Sequence, residues 1–343
     1  MCGERPPSAG RFVATHSRRS RISTAFVFPG QGSQAVGMGR ALAEASPAAA
    51  AVFEAADAAL GEPLARLAWD GPEEQLNRTE NAQPALLATS IAFLEAMRER
   101  ATATGAALPA PLFLAGHSMG QYSALVAAGV VSLADGMRLV RERGRQMQAS
   151  GAGRAGAMAA ILGLDEASIP DLVSRASVHG IFGVANRNAP GQVVVSGERA
   201  AIDAAAELAK ALGAKRAIVL PVSVAAHSPL MAEAAAGMRR VLDGVEFRAP
   251  SVPLLANADA RPLTTGDACR DELVEHLTTG VDWVRAVETM TAAGADTFVE
   301  IGPGRVLTNL VKRIAPEATA HAVDGPAAEA GLSMPSPTPI PAA

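Results

Sequence analysis

The ten residues Gly116 to Leu125, Gly-His-Ser-Met-Gly-Gln-Tyr-Ser-Ala-Leu, constrain the fold of this chain more than any other stretch. They follow the apolar run Pro111–Ala115 and precede an Ala/Val-rich run with helical spacing. That order is strand, sharp turn, helix. A serine between glycines at such a turn has the form of a nucleophile elbow: the glycines tolerate the tight backbone, and the Ser118 hydroxyl stands out at the top of a sheet. The turn also starts a helix, whose free N–H groups and dipole stabilise negative charge.

Strands and helices alternate along the rest of the chain, which predicts an α/β fold with a mostly parallel sheet and helices on both faces. Thr24–Phe28 reads as a buried strand ended by Pro29-Gly30, and 82–100 as a helix. Ser132 is placed to cap a helix reaching about Gln148. The pattern changes between a glycine-rich joint at 151–156 and Pro221. There 157–162, 181–185, 192–196 and 216–220 read as strands, and 165–174 and 198–212 as helices. That β-α-β-β-α-β order is a split βαβ, or ferredoxin-like, unit. The expected architecture is therefore a large α/β-hydrolase-like domain, 24–151 and 221–322, carrying a small ferredoxin-like domain, 152–220.

The termini differ in composition. Residues 1–23 hold five arginines, several serines and a single acid. This resembles a transit peptide, but a disordered extension or an early start codon is the preferred reading. Residues 323–343 are rich in Pro and Ala and read as a disordered tail. The chain of 343 residues has a net charge of −4 with acids and bases mixed, so no nucleic-acid partner is expected. No apolar run approaches the ~20 residues of a membrane span, and no membrane association is expected. Cys2 and Cys269 suggest neither a disulfide framework nor a metal site, and a reducing cytoplasm fits.

A serine nucleophile needs a base. His16 and His321 lie near the ends, His179 lies in a loop of the small unit, and His117 adjoins the nucleophile with its side chain expected to point away from the hydroxyl. His227 and His276 remain. His227 ends the small-residue run Pro221–Ala226 where the chain re-enters the large domain, a seam where pockets form. On its residues alone it reads equally as a base or as a structural histidine. It follows Ser118 by 109 residues, with over a hundred more behind it. That is not the hydrolase order of Ser, acid and a late His. A main-chain carbonyl can orient an imidazole in place of an acid.

Two further features bear on acyl chemistry. The loop Phe28-Pro29-Gly30-Gln31-Gly32-Ser33-Gln34 lacks the Lys-Ser/Thr of a P-loop. It reads as a bare turn, or as the donor of one backbone N–H to an oxyanion whose second donor is the Met119 N–H. Arg138, Arg141, Arg143 and Arg145 crowd one helix. Three are expected in solvent, and one turned inward would grip a planar carboxylate.

The ordered motifs resemble the malonyl-CoA:acyl carrier protein transacylase family, also found as acyltransferase domains of polyketide synthases. They are Phe-Pro-Gly-Gln-Gly-Ser-Gln at 28–34, Gly-His-Ser-Met-Gly at 116–120, Arg-Glu-Arg-Gly at 141–144 and Gly-Ala-Met-Ala-Ala-Ile at 156–161. Asn-Arg-Asn-Ala-Pro-Gly-Gln-Val-Val-Val-Ser-Gly at 186–197, Pro-Val-Ser-Val-Ala-Ala-His at 221–227 and Glu-Ile-Gly-Pro-Gly-Arg-Val-Leu at 300–307 complete the set. The resemblance implies a ping-pong reaction with Ser118 as nucleophile, His227 as base, and Gln31 and Met119 as the oxyanion hole. It implies that Arg143 holds the malonyl carboxylate, with Gln31, Asn188 and His117 around the substrate. The backbone carbonyl of His276 would orient His227. The partners implied are malonyl-CoA and acyl carrier protein, the enzyme is expected to act as a monomer, and neither a cofactor nor a metal is expected.

This chain departs from the family pattern at Gln121 (usually Glu), Arg187 (usually aromatic), Ala226 (usually Ser) and His276 (usually Gln). An acidic carrier protein predicts a basic patch near the small domain, drawn from Lys210, Lys215, Arg216 or Arg187. The alternatives are a stand-alone polyketide-pathway acyltransferase using another acyl unit, or a serine thioesterase or esterase. The Ser-to-His order and Arg143 weigh against hydrolysis.

Overall fold

The computed structural model describes residues 23–151, 156–222 and 224–323. The proposed N-terminal extension up to residue 22, the tail beyond 323 and most of the glycine-rich joint lie outside them. The strands are β1 (Thr24–Phe28), β2 (Phe113–Gly116), β3 (Gly156–Leu162), β4 (Phe182–Ala189), β5 (Gln192–Glu198) and β6 (Arg216–Val219). They continue with β7 (Leu254–Leu255), β8 (Pro262–Leu263), β9 (Val281–Asp282), β10 (Thr297–Ile301) and β11 (Thr319–Val323).

One sheet runs β11-β10-β1-β2-β7-β8 and is parallel except for the β7–β8 pair. Its central strand β1 is buried along its whole length, and its residues alternate between two cores. Phe26 and Phe28 face a cluster that includes Leu86 and Ile91 of the helix Thr79–Thr104 and Val140 of the helix Leu133–Ser150. Ala25 and Val27 face a second cluster with Val287 of the helix Trp283–Ala292 and Val311 of the helix Val306–Ile314. A strand covered on both faces reads as an unbroken apolar run, as Thr24–Phe28 does.

The other sheet runs β6-β3-β5-β4-β9. Its first four strands are antiparallel, and two helices, Ile169–Ala176 and Arg199–Ala211, pack against one face through Leu172, Ile202 and Ala205. The fifth strand, β9, comes from far along the chain and runs parallel to β4. It ties this sheet to the segment just before Trp283.

The structure corrects three expectations. The C-terminal tail does not begin at 323: Thr319–Val323 is a strand paired along its length with β10, and Val323 is fully buried. Its low hydrophobicity hid it, because an edge strand buries only part of its face. The strand predicted to end at Ala185 continues to Ala189, with register shifts against β5 at Val184/Asn186 and Arg187/Ala189. Such bulges accommodate polar residues in a strand and re-aim them. Arginine exposure also differs: Arg138 and Arg145 face solvent, but Arg141 is buried as well as Arg143. Arg141 is held by Glu62 at 2.6 Å and the Glu80 carbonyl at 2.8 Å, so it ties its helix to the bend at Glu62 and to the start of the helix Thr79–Thr104. The Ser132 cap forms as expected, its hydroxyl accepting from the Asp135 N–H.

Candidate active site

β1 and β2 pair with Phe28 beside Gly116, so the loops leaving both strands emerge together at the carboxyl end of the sheet, where open α/β sheets bind ligands. The His117 N–H donates to the Phe28 carbonyl at 3.0 Å. Two glycines permit this approach. A Cβ on Gly120 would lie 2.2 Å from the Phe28 oxygen, and one on Gly30 would lie 2.5 Å from the His117 oxygen. The chain then turns at Ser118, whose φ of 52° is left-handed, a strain worth about 1–3 kcal/mol for a residue with a side chain. The Ser118 N–H donates to Asn257 Oδ1 at 2.8 Å and anchors the turn. Gln121, fully buried, accepts from the Gly116 N–H and donates to the Leu255 carbonyl, joining β2, the elbow and β7.

The Ser118 hydroxyl donates to His227 Nε2 at 2.8 Å. His227 Nδ1–H donates to the His276 carbonyl at 2.7 Å. A carbonyl only accepts, so this bond puts the proton on Nδ1 and leaves Nε2 free to accept the serine proton. His227 also has a left-handed φ, 61°. It is buried. That burial, reinforced by the neighbouring His276 and the Arg143 cation, holds its imidazole well below the usual histidine range. The ring therefore stays neutral, the state a base requires.

Arg143 is 1% exposed. Its Nη1 donates to Gln83 Oε1 at 2.8 Å, and its Nη2 donates to Ser118 Oγ at 3.0 Å and to His276 Nε2 at 3.2 Å. Its Cζ lies 5.8 Å from the centroid of the Tyr122 ring, a cation–π distance. Burial lowers the guanidinium from its ordinary value and pushes the Tyr122 hydroxyl up, but an arginine does not lose its proton in a protein. No carboxylate among the described residues forms an ion pair with Arg143. Glu272 acts on Arg143 only through space; a buried cation without a contacting anion is costly, and the fold retains one beside the nucleophile.

The remaining predicted residues lie on the loops that leave β1 and β2 and on β4. The backbone N–H groups of Gln31 and Met119 make no hydrogen bond among the described residues, and Met119 begins the helix Gly120–Ala127. The Gln31 side chain reaches Thr79 Oγ1 at 3.3 Å. The His117 ring is held between Asn188 and Trp283. Its Nε2–H donates to Asn188 Oδ1 at 2.9 Å, and its ring centroid lies 5.7 Å from that of Trp283. Asn188 lies on the bulged part of β4, so the smaller sheet supplies one wall of the site.

Three residues escaped sequence reasoning. Asn257 follows β7, a polar residue at the carboxyl end of a parallel strand, and that placement was a usable signal. Glu272 stands four residues before His276 on the helix Gly266–Thr279, a legible spacing. It is buried, and its Oε1 accepts from the Asn257 N–H and Nδ2–H at 2.9 and 3.1 Å. Burial raises its carboxyl, but His276 and these hydrogen bonds outweigh that and leave it below the usual range. Gln83, in an apolar helix, gave no signal.

Residues 25–329 match the family described as acyl transferase domain. The malonyl CoA-acyl carrier protein transacylase of Escherichia coli (strain K12) is 46% identical over 306 residues, covering 89% of this chain and 97% of that protein. Among solved structures, an acyl carrier protein S-malonyltransferase from Vibrio cholerae O1 biovar eltor matches with a TM-score of 0.86 at 42% identity, covering 90% of this chain and 99% of that one. A structure described as a type II PKS acyl-carrier protein in complex with its malonyl-transacylase matches with a TM-score of 0.86 at 43% identity, covering 90% and 98% of the two chains.

Proposed function

The chain belongs to the acyl transferase domain family as a malonyl-CoA:acyl carrier protein transacylase, and we propose that the site described above carries the reaction through a malonyl ester on Ser118. His227 Nε2 takes the Ser118 proton as Oγ attacks the thioester carbonyl of malonyl-CoA. The oxyanion lies on the Gln31 and Met119 N–H groups. The C–S bond breaks, and the CoA thiolate leaves with the proton from His227. In the second half-reaction the phosphopantetheine thiol of the carrier protein gives its proton to His227 and attacks the ester carbonyl. The C–O bond breaks, and Ser118 Oγ recovers the proton. Both halves are acyl exchanges in which no electron is gained or lost, so the reading calls for no redox group.

The observation that carries this reading is Arg143. A buried guanidinium with no carboxylate in contact with it, 3.0 Å from the nucleophile, is a receptor for the free carboxylate of a malonyl group. Asn188 and His117 line the same space. Neutral acyl groups leave the cation unpaired.

The two sheets, each with its own apolar cluster, support two units, 24–151 with 221 onward through the end of β11 at Val323, and 152–220. A monomer is proposed as the working unit. Among the described residues no helix is long and apolar enough to cross a membrane, and a cytoplasmic enzyme serving fatty acid or polyketide assembly fits. Of the residues offered for carrier docking, Arg187 is paired with Glu166 and Lys210 with Glu207. Lys215 and Arg216 are exposed and have no acidic partner among the described residues, so they are the stronger docking candidates.

The test is transfer of radiolabelled malonyl from malonyl-CoA to carrier protein. Wild-type protein loads label on Ser118 and passes it on. No transfer by wild type, or full transfer by Ser118→Ala, overturns the reading.

A further inference from the structure

The buried side chains behind Arg143 form a chain that the reaction above does not use. His276 is fully buried and Glu272 is 1% exposed. Arg143 Nη2 donates to His276 Nε2 at 3.2 Å. An arginine only donates, so that ring nitrogen must be bare. The proton is then on Nδ1, which faces the Glu272 carbonyl at 3.1 Å and Glu272 Oε1 at 3.3 Å. Both neighbours of Nδ1 are acceptors, and the neighbour of Nε2 is a donor. One neutral tautomer satisfies all of them.

The donors on Arg143 can be counted. Each Nη carries two N–H groups. One on Nη1 is taken by Gln83 and one on Nη2 by His276. That leaves one on each Nη, with the Nη2 one resting on Ser118 Oγ, and the Nε–H without a partner among the described residues. A pair of parallel N–H groups, one from each nitrogen, is what a carboxylate accepts in bidentate form. The anchors on Gln83 and His276 therefore hold the guanidinium plane, and with it the donors left for a carboxylate.

We propose that the His276 imidazole is a positioning residue that holds the Arg143 guanidinium in its carboxylate-receiving orientation, with Glu272 setting the imidazole tautomer, so that the pair tunes selectivity for a carboxylated acyl group. This rests on the reading of Arg143 as the carboxylate receptor. It assigns the His276 side chain a task separate from that of its carbonyl, which orients His227. Substitution of residue 276 keeps the carbonyl and removes the ring, so the two tasks separate experimentally.

The experiment compares malonyl-CoA and acetyl-CoA as donors for wild type, His276→Ala and His276→Gln. In His276→Ala the KM for malonyl-CoA rises and the malonyl-over-acetyl preference falls about tenfold, the scale of one hydrogen bond to a charged group, while kcat changes much less. His276→Gln recovers most of the preference, because an amide oxygen accepts from Nη2. A second measurement, on the wild-type protein, is the ¹⁵N resonance pair of His276. The expected signature is a protonated Nδ1 and a bare Nε2, moving towards a protonated Nε2 in Glu272→Gln.

An unchanged malonyl-over-acetyl ratio in His276→Ala, an equal loss of kcat with both donors, or no recovery in His276→Gln overturns the proposal. If His276→Ala does not fold, a protonated Nε2 in wild type overturns it. Failure of wild type to load malonyl at all overturns the function reading instead. Loading with an unaffected ratio overturns only this inference.

Discussion

Arg143 Nη2 stands 3.0 Å from Ser118 Oγ, so the proposed receptor for the acyl carboxylate touches the proposed nucleophile. On that proposal, selection and chemistry are coupled through one hydrogen bond, and the malonyl carboxylate sits within a side-chain length of the ester carbonyl.

Removing this contact exchanges specificity for permissiveness. Arg143→Ala is expected to lose about 2–5 kcal/mol of malonyl stabilisation, the usual cost of breaking a buried charge pair. Acetyl transfer should suffer far less. Arg143→Lys should not rescue, because a point charge cannot present paired donors. The check is kcat/KM for each donor.

The pH profile should reflect the buried base. His227 lies well below its ordinary 6.5. The active form is neutral, so activity is retained as pH falls past 6.5 and is lost only when the depressed pKa is reached. In stability terms, the unfolded state binds a proton that the folded state refuses. The His227 contribution is therefore complete above 6.5 and erodes below it. A malonyl-CoA kcat/KM profile with its acid midpoint at or above 6.5 would contradict this.

The contact between β1 and the elbow leaves no room for a methyl group. Gly120→Ala places a Cβ 2.2 Å from the Phe28 oxygen. The expected cost is about 1–3 kcal/mol of overpacking, together with a large loss of acylation as the turn shifts. Urea denaturation and the burst of malonyl-enzyme formation would report the two effects.

Gln121 joins two strands through a main-chain donor and a main-chain acceptor. Gln121→Leu leaves both buried and unpaired, at about 1–3 kcal/mol each. The variant should unfold at lower urea concentration with an unchanged denaturant slope.

Carrier recognition should be electrostatic at the edge of the smaller sheet. Lys215→Glu with Arg216→Glu is expected to slow transfer to an acidic carrier protein several-fold, mainly through association. The effect should shrink with added salt. Transfer rates at two ionic strengths, relative to acylation of Ser118, decide it.

Much of this molecule was legible without coordinates because the signals were local. An apolar pentad ended by Pro-Gly, glycines bracketing Ser118 and a serine placed to cap the helix Leu133–Ser150 each depend on neighbours in sequence. Strand β11 was missed for a related reason: its stability comes from pairing with β10, not from its own hydrophobicity. Of the four arginines on one helix, local pattern could not say that both Arg141 and Arg143 turn inward. That depends on the helices packed against them.

By itself the sequence determined the order of elements, the elbow and the residue types available for acyl chemistry, since propensity and periodicity act over a few residues. Tertiary structure alone decided which groups meet. Ser118 and His227 are 109 residues apart and lie 2.8 Å from contact atom to contact atom. Both hold left-handed backbones that no propensity favours. Asn257 and Glu272 gain their places only through packing. The physical reason is that packing compensates such strained and buried polar arrangements through contacts distant in the chain, which short-range pattern does not encode.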